Sequence, residues 1–374
     1  MSVVDLRERH ATAKEQVHNL RDQLRIKRAS LLDTDVATYA QSLGRTAVKF
    51  NVNAFRCCRT LQGHKGKIYS LDWSYRERTR IVSASQDGRL IVWNAISSQK
   101  THAIKLPCAW VMACAFSPGG HAVACGGLDN ICSIFNLNST ADRDGNLPLS
   151  CALVGHKGYL SCCRYVPDEE AHIITSSGDH TCIMWDAETN QRIALFGGDS
   201  PAGHTSDVMS VSISASNSKM FVSGSCDMTA KLWDTRTSSC VRTFHGHDDD
   251  VNAVQFLPDG LHFGTGSDDG SCRLFDTRTG HELQQYRNSS TTHATPGPAN
   301  NVTSIAFSYS GRLLFAGYSN GNCFAWDTLL AEVVTDLGGG LPSGHSNRVS
   351  CLGVSSDGSA LCTGSWDSTL KVCQ

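Results

Sequence analysis

The chain of 374 residues is 40% hydrophobic and 18% charged, and its formal net charge is −2. Such a composition is typical of a soluble globular protein, and the near-neutral charge gives no reason to expect a nucleic-acid partner. No apolar run reaches the ~18 residues that a membrane-spanning helix needs, and the polar N-terminal residues are unlike a secretory signal. The 17 cysteines are predicted to be reduced thiols packed among strands, and their spacing suggests neither a metal site nor a cofactor.

Residues 1–40 are predicted to form an N-terminal helix, since residues 1–35 contain neither proline nor glycine. Its apolar positions step alternately by four and three residues, which is the pattern of a coiled-coil seam for one partner helix. The seam positions assigned to the partner are Leu6, Ala13, Val17, Leu20, Leu24 and Leu31. His10 and Lys27 also fall in the seam, where they would lower self-pairing. Two alternatives remain open: an amphipathic helix lying on the rest of the protein, and a membrane-surface helix.

After a linker predicted at 41–56, one pattern recurs seven times in residues 57–374. In each repeat, an Asp-type position is followed six residues later by a Trp-type position. The pairs are Asp87/Trp93, Asp129/Phe135, Asp179/Trp185, Asp227/Trp233, Asp269/Phe275, Asn320/Trp326 and Asp367/Cys373. A period of about 40–50 residues, with Gly-His near its start, is typical of WD-repeat propeller blades.

Each repeat contains short alternating apolar segments separated by turn residues. In the first repeat, segments at 67–73 and 80–85 precede an Asp87-Gly88 turn and a third strand, and a fourth strand leads into the next repeat. One such sheet cannot bury both of its faces, whereas sheets stacked around an axis can. The sequence therefore predicts an all-β, seven-bladed WD-repeat β-propeller that follows a coiled-coil α-helix.

A polar set recurs inside five of the repeats. It consists of a His after Gly, a hydroxyl residue, the Asp and the Trp position. The two repeats that lack the Gly-His also lack the hydroxyl, with Cys125 and Ala316 in its place. This joint loss predicts a structural Asp–His–Ser/Thr–Trp hydrogen-bond chain rather than a catalytic triad. The residues assigned to it are His64, Ser83, Asp87, Trp93, His156, Thr175, Asp179, Trp185, His204, Ser223, Asp227, Trp233, His247, Thr265, Asp269, His345, Thr363 and Asp367.

The last repeat reaches Cys373 without a fourth strand of its own. Residues 57–61, before the first Gly-His, resemble the fourth strand at 240–244. We therefore predict that residues 57–61 form the outer strand of blade seven and close the ring, because an open sheet edge invites aggregation.

Several segments are far more specific than a generic WD repeat. They lie at 63–69, 82–88, 110–112, 126–134, 158–163, 349–354 and 363–368. With the heptad helix, they make the whole chain resemble the β subunit of heterotrimeric G proteins. The stretches 82–95 and 101–110 and four inter-blade insertions are similar to the plant branch of that family.

The resemblance implies a non-catalytic signalling subunit. A β subunit of this family holds a small γ subunit permanently through the N-terminal coiled coil. It binds the GDP-loaded α subunit on one end of the propeller, and it binds effectors there once α has left. Membrane attachment would come through the lipidated γ partner, which implies a location at the cytoplasmic face of the plasma membrane and in the cytoplasm.

The positions that contact α or effectors in the family can be carried over where the residues match. They are Lys67, Tyr69, Arg89, Lys100, Trp110, Met112, Leu128, Asn130, Tyr159, Asp207, Met209, Cys226, Asp250, Asn252, Asp268, Arg348 and Trp366. Four of them directly precede a blade Asp and five lie just after a Gly-His, and both placements are at loop mouths: Leu128, Cys226, Asp268 and Trp366, and Lys67, Tyr159, Asp207, Asp250 and Asn252. Lys100 corresponds to the side of blade one. Aromatic and Met residues ringed by charge have the composition of a protein–protein hot spot.

The chain departs from the family pattern at a few positions. Cys373 stands where the family has Trp, and Lys65, Lys157 and Ser319 replace other residues. Two other classes of function were weighed: a different WD-repeat scaffold such as a ubiquitin-ligase substrate receptor, and a propeller enzyme. The heptad helix and the loop-mouth residues argue against the first. A propeller enzyme would need unpaired acidic or His residues converging on the channel, and the sequence shows only the repeated structural set.

Overall fold

The computed structural model describes residues 9–10, 12–17, 19–20, 22–23, 36–46, 48, 56–142, 146–198, 200–287, 300–338 and 344–374. The chain divides into two compact units, Met1–Thr46 and Ala47–Gln374.

The first unit is helical where it is described. The described residues between positions 9 and 23 are α-helical, and a second helical segment, α1, spans Val36–Ser42. Gly44 follows this segment with a φ of 69°, a left-handed value that suits glycine. The Arg45 N–H donates to the Ala40 carbonyl and so caps the end of the helix. Helix α1 ends at Ser42, two residues beyond the predicted bound of 40, and the seam residues Leu6, Leu24, Lys27 and Leu31 lie outside the described residues.

The second unit is a seven-bladed β-propeller, which confirms the predicted fold. Every blade is a four-stranded antiparallel sheet. Blades one to three consist of β2 (Ile68–Trp73), β3 (Arg80–Ser85), β4 (Arg89–Asn94), β5 (Lys100–Lys105); β6 (Val111–Phe116), β7 (Ala122–Gly127), β8 (Ile131–Asn136), β9 (Leu149–Val154); β10 (Leu160–Tyr165), β11 (His172–Ser177), β12 (Thr181–Asp186) and β13 (Gln191–Gly197).

Blades four to six follow the same order, from the innermost strand outward. They consist of β14 (Val208–Ile213), β15 (Met220–Ser225), β16 (Ala230–Asp234), β17 (Ser239–Phe244); β18 (Val251–Phe256), β19 (His262–Ser267), β20 (Cys272–Asp276), β21 (Glu282–Tyr286); β22 (Val302–Phe307), β23 (Leu313–Tyr318), β24 (Cys323–Asp327) and β25 (Val333–Asp336).

Blade seven is built from both ends of the propeller segment. Its inner strands are β26 (Val349–Val354), β27 (Leu361–Ser365) and β28 (Thr369–Cys373), and its outer strand is β1 (Cys57–Gln62). Leu61 lies opposite Leu370 in this pairing. Strand β1 therefore closes the ring, and it is one residue longer than the predicted 57–61.

The hydrophobic core lies between blades rather than within them. Among the described residues, seven buried clusters each combine side chains from two neighbouring blades. The cluster between blades seven and one includes Trp73, Trp93, Leu61 and Leu370. Because a blade buries its two faces only against its neighbours, the ring has to close for the core to be complete.

Polar side chains tie the inner strands together around the channel. Asp72 on β2 accepts a hydrogen bond from the Phe116 N–H at 2.9 Å, and Gln255 on β18 accepts one from Phe307 at 3.0 Å. Asp72 also pairs with Arg164 of blade three at 3.0 Å. These side chains thus accept hydrogen bonds from backbone N–H groups on the channel side, which find no partner within their own sheets.

Candidate functional site

The recurring His, hydroxyl and Trp residues form one hydrogen-bond chain inside a blade. In blade four, His204 Nδ1 lies 2.7 Å from Asp227, and its Nε2 lies 2.7 Å from the Ser223 hydroxyl. The Trp233 indole N–H donates to the same hydroxyl at 2.8 Å. Blades one and three repeat the chain, and blades five and seven repeat it as far as the hydroxyl.

The Asp of this chain also holds the loop mouth. Asp227 accepts the backbone N–H of Thr205 at 3.2 Å and that of Thr229 at 3.0 Å. Burial favours the neutral acid, but the hydrogen bonds from His204 and Thr229 outweigh it and hold the pKa of Asp227 well below its usual range. The carboxylate is thus a fixed acceptor that joins the two loops at one end of its blade.

The two degenerate blades show what is lost without the hydroxyl. In blade six, Ala316 replaces it, and the buried Trp326 Nε1 makes no hydrogen bond among the described residues. In blade two, the Cys125 Sγ lies 3.5 Å from the Ser133 carbonyl. The joint loss seen in the sequence therefore corresponds to one shared set of contacts.

The residue after each blade Asp has a left-handed backbone. Glycine supplies it at Gly88, Gly270 and Gly321, whereas Asn130, His180, Met228 and Ser368 adopt it with φ between 63° and 69°. Such a turn projects its side chains outward from the end of the blade. The same end of the propeller carries the loops that lead into the inner strands, because antiparallel strands alternate in direction.

Sixteen of the seventeen predicted interface residues lie at this end, which we call the loop face: all of those given above except Lys100. They stand in the turns after the second strands or at the starts of the inner strands, and none is fully buried. Lys100 is different. Its side chain lies beside Gly63, and its Nζ is 5.6 Å from the Trp93 ring centroid, so it belongs to the side of blade one.

An aromatic cluster occupies the loop face where blades seven, one and two meet. Tyr69 stacks on Trp110 with ring centroids 6.0 Å apart, and it meets Trp366 edge-on at 6.2 Å. Trp110 is 41% exposed and has a left-handed φ of 66°, which is unusual for a bulky residue. The surrounding structure offsets the cost of this backbone conformation, which holds the large apolar ring of Trp110 in solvent.

Two cations lie over the Trp366 ring. Lys67 Nζ is 3.9 Å from its centroid and Arg348 Cζ is 5.1 Å away. These cation–π contacts fix the ring and surround the aromatic cluster with positive charge. Burial raises the pKa of the Tyr69 hydroxyl, so this side chain is a neutral hydrogen-bonding group at physiological pH.

The opposite sector of the loop face is acidic. Tyr159 donates to Asp207 at 2.8 Å and touches Met209. Burial, with Asp250 nearby, raises the pKa of the Cys226 thiol to about 12, and burial also raises the pKa of Asp268. The loop face is therefore positive over blades seven and one, where the aromatic cluster also lies, and negative over blades four and five.

Sequence reasoning did not single out two residues of this sector. Met228 is 47% exposed at the apex of its turn, and His180 Nε2 lies 3.6 Å from Asp207. Both directly follow a blade Asp, and that position was the available signal. Lys65 and Lys157, which depart from the family pattern, are exposed on the same face.

The N-terminal seam presents apolar side chains to solvent. Val17 is 47% exposed, Leu20 is 59% exposed, and Ala13 is exposed as well. No helix among the described residues is long and apolar enough to cross a membrane. Within the same described residues, no group of three or more His, Cys, Asp or Glu side chains is placed to hold a metal ion.

The fold and the loop face define a WD-repeat propeller with a surface suited to binding another protein. The chain matches the family model described as "G protein beta WD-40 repeat protein" over residues 7–374. It is 67% identical to the guanine nucleotide-binding protein subunit beta of Arabidopsis thaliana over 374 residues, which is 100% of this chain and 97% of the relative. It is 66% identical to that of Zea mays over 99% of this chain and 97% of the relative. The chain belongs to the heterotrimeric G-protein β-subunit family.

Proposed function

We propose that this β subunit is a non-catalytic scaffold that forms an obligate dimer with a γ subunit, binds the GDP-loaded α subunit through the loop face, and binds effectors through the same face after α has left. The observation that carries the proposal is the cluster of Tyr69, Trp110 and Trp366, with Lys67 and Arg348 over the Trp366 ring. Partly exposed aromatic rings flanked by charge are the composition expected of an interface centre.

The charge distribution supports one defined orientation of the α subunit. Lys67 and Arg348 lie over a ring of the aromatic centre and Arg89 stands in blade one, whereas Asp207 and Asp250 stand at the starts of blades four and five. A partner with the complementary arrangement is steered into register, since opposite charges attract and like charges repel. If the surfaces for α and for effectors overlap, binding of α and binding of an effector exclude each other.

The exposed seam supports the γ partner. Ala13, Val17 and Leu20 fall on one stripe of the N-terminal helix, and all three are exposed in this chain alone. A second helix would bury such a stripe. Lipid on γ would hold the complex at the cytoplasmic face of the plasma membrane, with a cytoplasmic pool of unattached protein.

The experiment is a capture assay with the co-expressed βγ complex immobilised and purified α subunit in solution. We expect α loaded with GDP to be retained, and α loaded with a non-hydrolysable GTP analogue to remain in the flow-through. An α subunit that has not been through the nucleotide-exchange procedure serves as the control for the effect of loading. Equal retention of both nucleotide forms would contradict the proposed switch.

A further inference from the structure

The strands that close the ring place two thiols opposite each other. Cys57 on β1 is the register partner of Cys373 on β28. The neighbouring pair exchanges both backbone hydrogen bonds, since the Arg56 N–H donates to Gln374 at 3.1 Å and the Gln374 N–H donates to Arg56 at 3.2 Å. In an antiparallel pair, hydrogen-bonded and non-hydrogen-bonded positions alternate. Cys57 and Cys373 therefore occupy a non-hydrogen-bonded position.

This position brings Cα atoms to about 4.5 Å and points both side chains to one face of the sheet. A disulfide accepts Cα separations of about 4.4–6.8 Å. The register of the closing strands thus places the two thiols at a kind of position that a cross-strand disulfide can bridge.

The same register position in other blades shows that its two side chains meet. In blade one the pair is Trp93 and Lys100, and the Lys100 Nζ lies 5.6 Å from the indole centroid. In blade four the pair is Trp233 and Cys240. Blade seven is distinctive because a thiol replaces the indole and faces a second thiol.

The two thiols differ in access and acidity. Cys57 is half-buried, whereas Cys373 is 8% exposed. A hydrogen bond between the two thiols, opposed by burial, lowers the pKa of Cys57, and the same hydrogen bond raises the pKa of Cys373. Lys371 adds to the effect on Cys57. The lowered pKa favours the thiolate at the more accessible sulfur, and the thiolate is the form that reacts with oxidants.

We propose that Cys57 and Cys373 form a reversible disulfide that locks the ring closure, with hydrogen peroxide as the oxidant. The Cys57 thiolate attacks a peroxide oxygen, and an S–O bond forms as the O–O bond breaks. The hydroxide that leaves takes up a proton and becomes water. The Cys373 sulfur then attacks the Cys57 sulfenic acid, the S–S bond forms, and a second water departs with the Cys373 proton. The two thiols lose two electrons and the peroxide gains them.

The consequence is a covalent tie between the two ends of the propeller segment. In the reduced protein, β1 is held to β28 by strand pairing and packing alone, with a register irregularity between Cys57 and Arg59. A disulfide there closes a loop of nearly the whole propeller, which restricts the unfolded chain. Thiol reductants reverse the bond, so the lock is redox-dependent.

The test uses the purified full chain in complex with a γ-type partner, reduced and then exposed to hydrogen peroxide. Free thiols are blocked with N-ethylmaleimide, and the protein is digested without reduction for mass spectrometry. We expect a peptide that links Cys57 to Cys373, its loss on treatment with dithiothreitol, and a rise in Tm of about 5 °C for the oxidised form.

Cys58 provides the matched control, since it is an exposed cysteine next to Cys57. The Cys58→Ser variant should keep the cross-link and the Tm rise, whereas Cys57→Ser should lose both. Recovery of wild-type Cys57 as a maleimide adduct or a sulfinic acid, without a linked peptide, would overturn the proposal. A link from Cys58 instead of Cys57 would overturn it as well. The mass-spectrometric measurement is made on the wild-type chain, so it does not depend on the folding of a variant.

Discussion

Trp366 shows how one residue can leave the structural pattern and become available for binding. It directly precedes the blade Asp, and its backbone N–H is held by the Arg348 carbonyl at 3.0 Å. Its ring is partly exposed beneath Lys67 and Arg348. By contrast, Trp93, Trp185 and Trp233 are buried and donate to a hydroxyl inside their blades. The same residue type is thus a core group in one position and a surface group in another.

The Trp366→Ala variant is expected to weaken binding of the GDP-loaded α subunit by ~2 kcal/mol or more, because truncation removes a central ring and leaves two cations without their aromatic contact. Calorimetric titration of the βγ complex with α measures the change. Tyr309→Ala is the matched control, since Tyr309 is 72% exposed in the turn between β22 and β23, at the end opposite the loop face. An unchanged affinity for Trp366→Ala would exclude Trp366 from the interface.

At the scale of single elements, the N-terminal helix and the blades obtain their stability in different ways. A blade strand pairs with its neighbours and packs against the next sheet, as Phe221 and Trp233 do on Phe196. The described seam residues of the helix, such as Val17 and Leu20, remain exposed in this chain. An amphipathic helix depends on burial of its apolar face, so the seam calls for a partner helix.

Leu20→Asp is expected to abolish formation of the complex with a γ-type coiled-coil partner, since a charge would be buried in the seam. Co-expression followed by size-exclusion chromatography reports on the complex. Gln16→Asp, an exposed position outside the seam, introduces the same charge and should leave assembly intact. If Leu20→Asp assembles as well as Gln16→Asp, the coiled-coil assignment is wrong.

At the scale of the whole molecule, the ring multiplies local interactions around one axis. Five blades carry a His–Asp pair at the loop face. In each, burial opposes ionisation of the Asp, but hydrogen bonds from the His and from nearby groups lower its pKa. Burial in turn lowers the pKa of His204. The stability of the propeller is therefore coupled to pH at five related sites.

The free energy of unfolding is expected to fall as the solution is acidified. Unfolded carboxyl groups take up protons near pH 4, whereas the folded ones stay charged to lower pH, so the unfolded chain binds more protons and stability is lost below about pH 4. His204 adds a shallower decline that begins near pH 6.5, since its folded pKa is also lowered. Urea unfolding across pH 3–7 measures the trend, and Asp227→Asn should reduce the slope below pH 4. Stability that rises on acidification would contradict this account.

The sequence alone determined the fold, because each blade repeats a spacing whose residues have fixed structural roles. Asp227, His204 and Ser223 could be assigned to one hydrogen-bond chain because the His and the hydroxyl are lost together in the two degenerate repeats. The closing strand could be located from the missing outer strand of blade seven. Residue positions along a repeat also indicated which side chains stand at loop mouths, because the strand order fixes the end at which each turn lies.

Only the tertiary structure decided how residues from different blades combine. Tyr69, Trp110 and Trp366 come from three blades, and their stacking depends on how neighbouring sheets are rotated about the axis. The left-handed backbone of Trp110 has no local sequence signal such as glycine. The pairing of Cys57 with Cys373 likewise depends on the register of two strands from opposite ends of the propeller. Spacing within a repeat specifies a blade, whereas contacts between distant segments arise only when the ring closes.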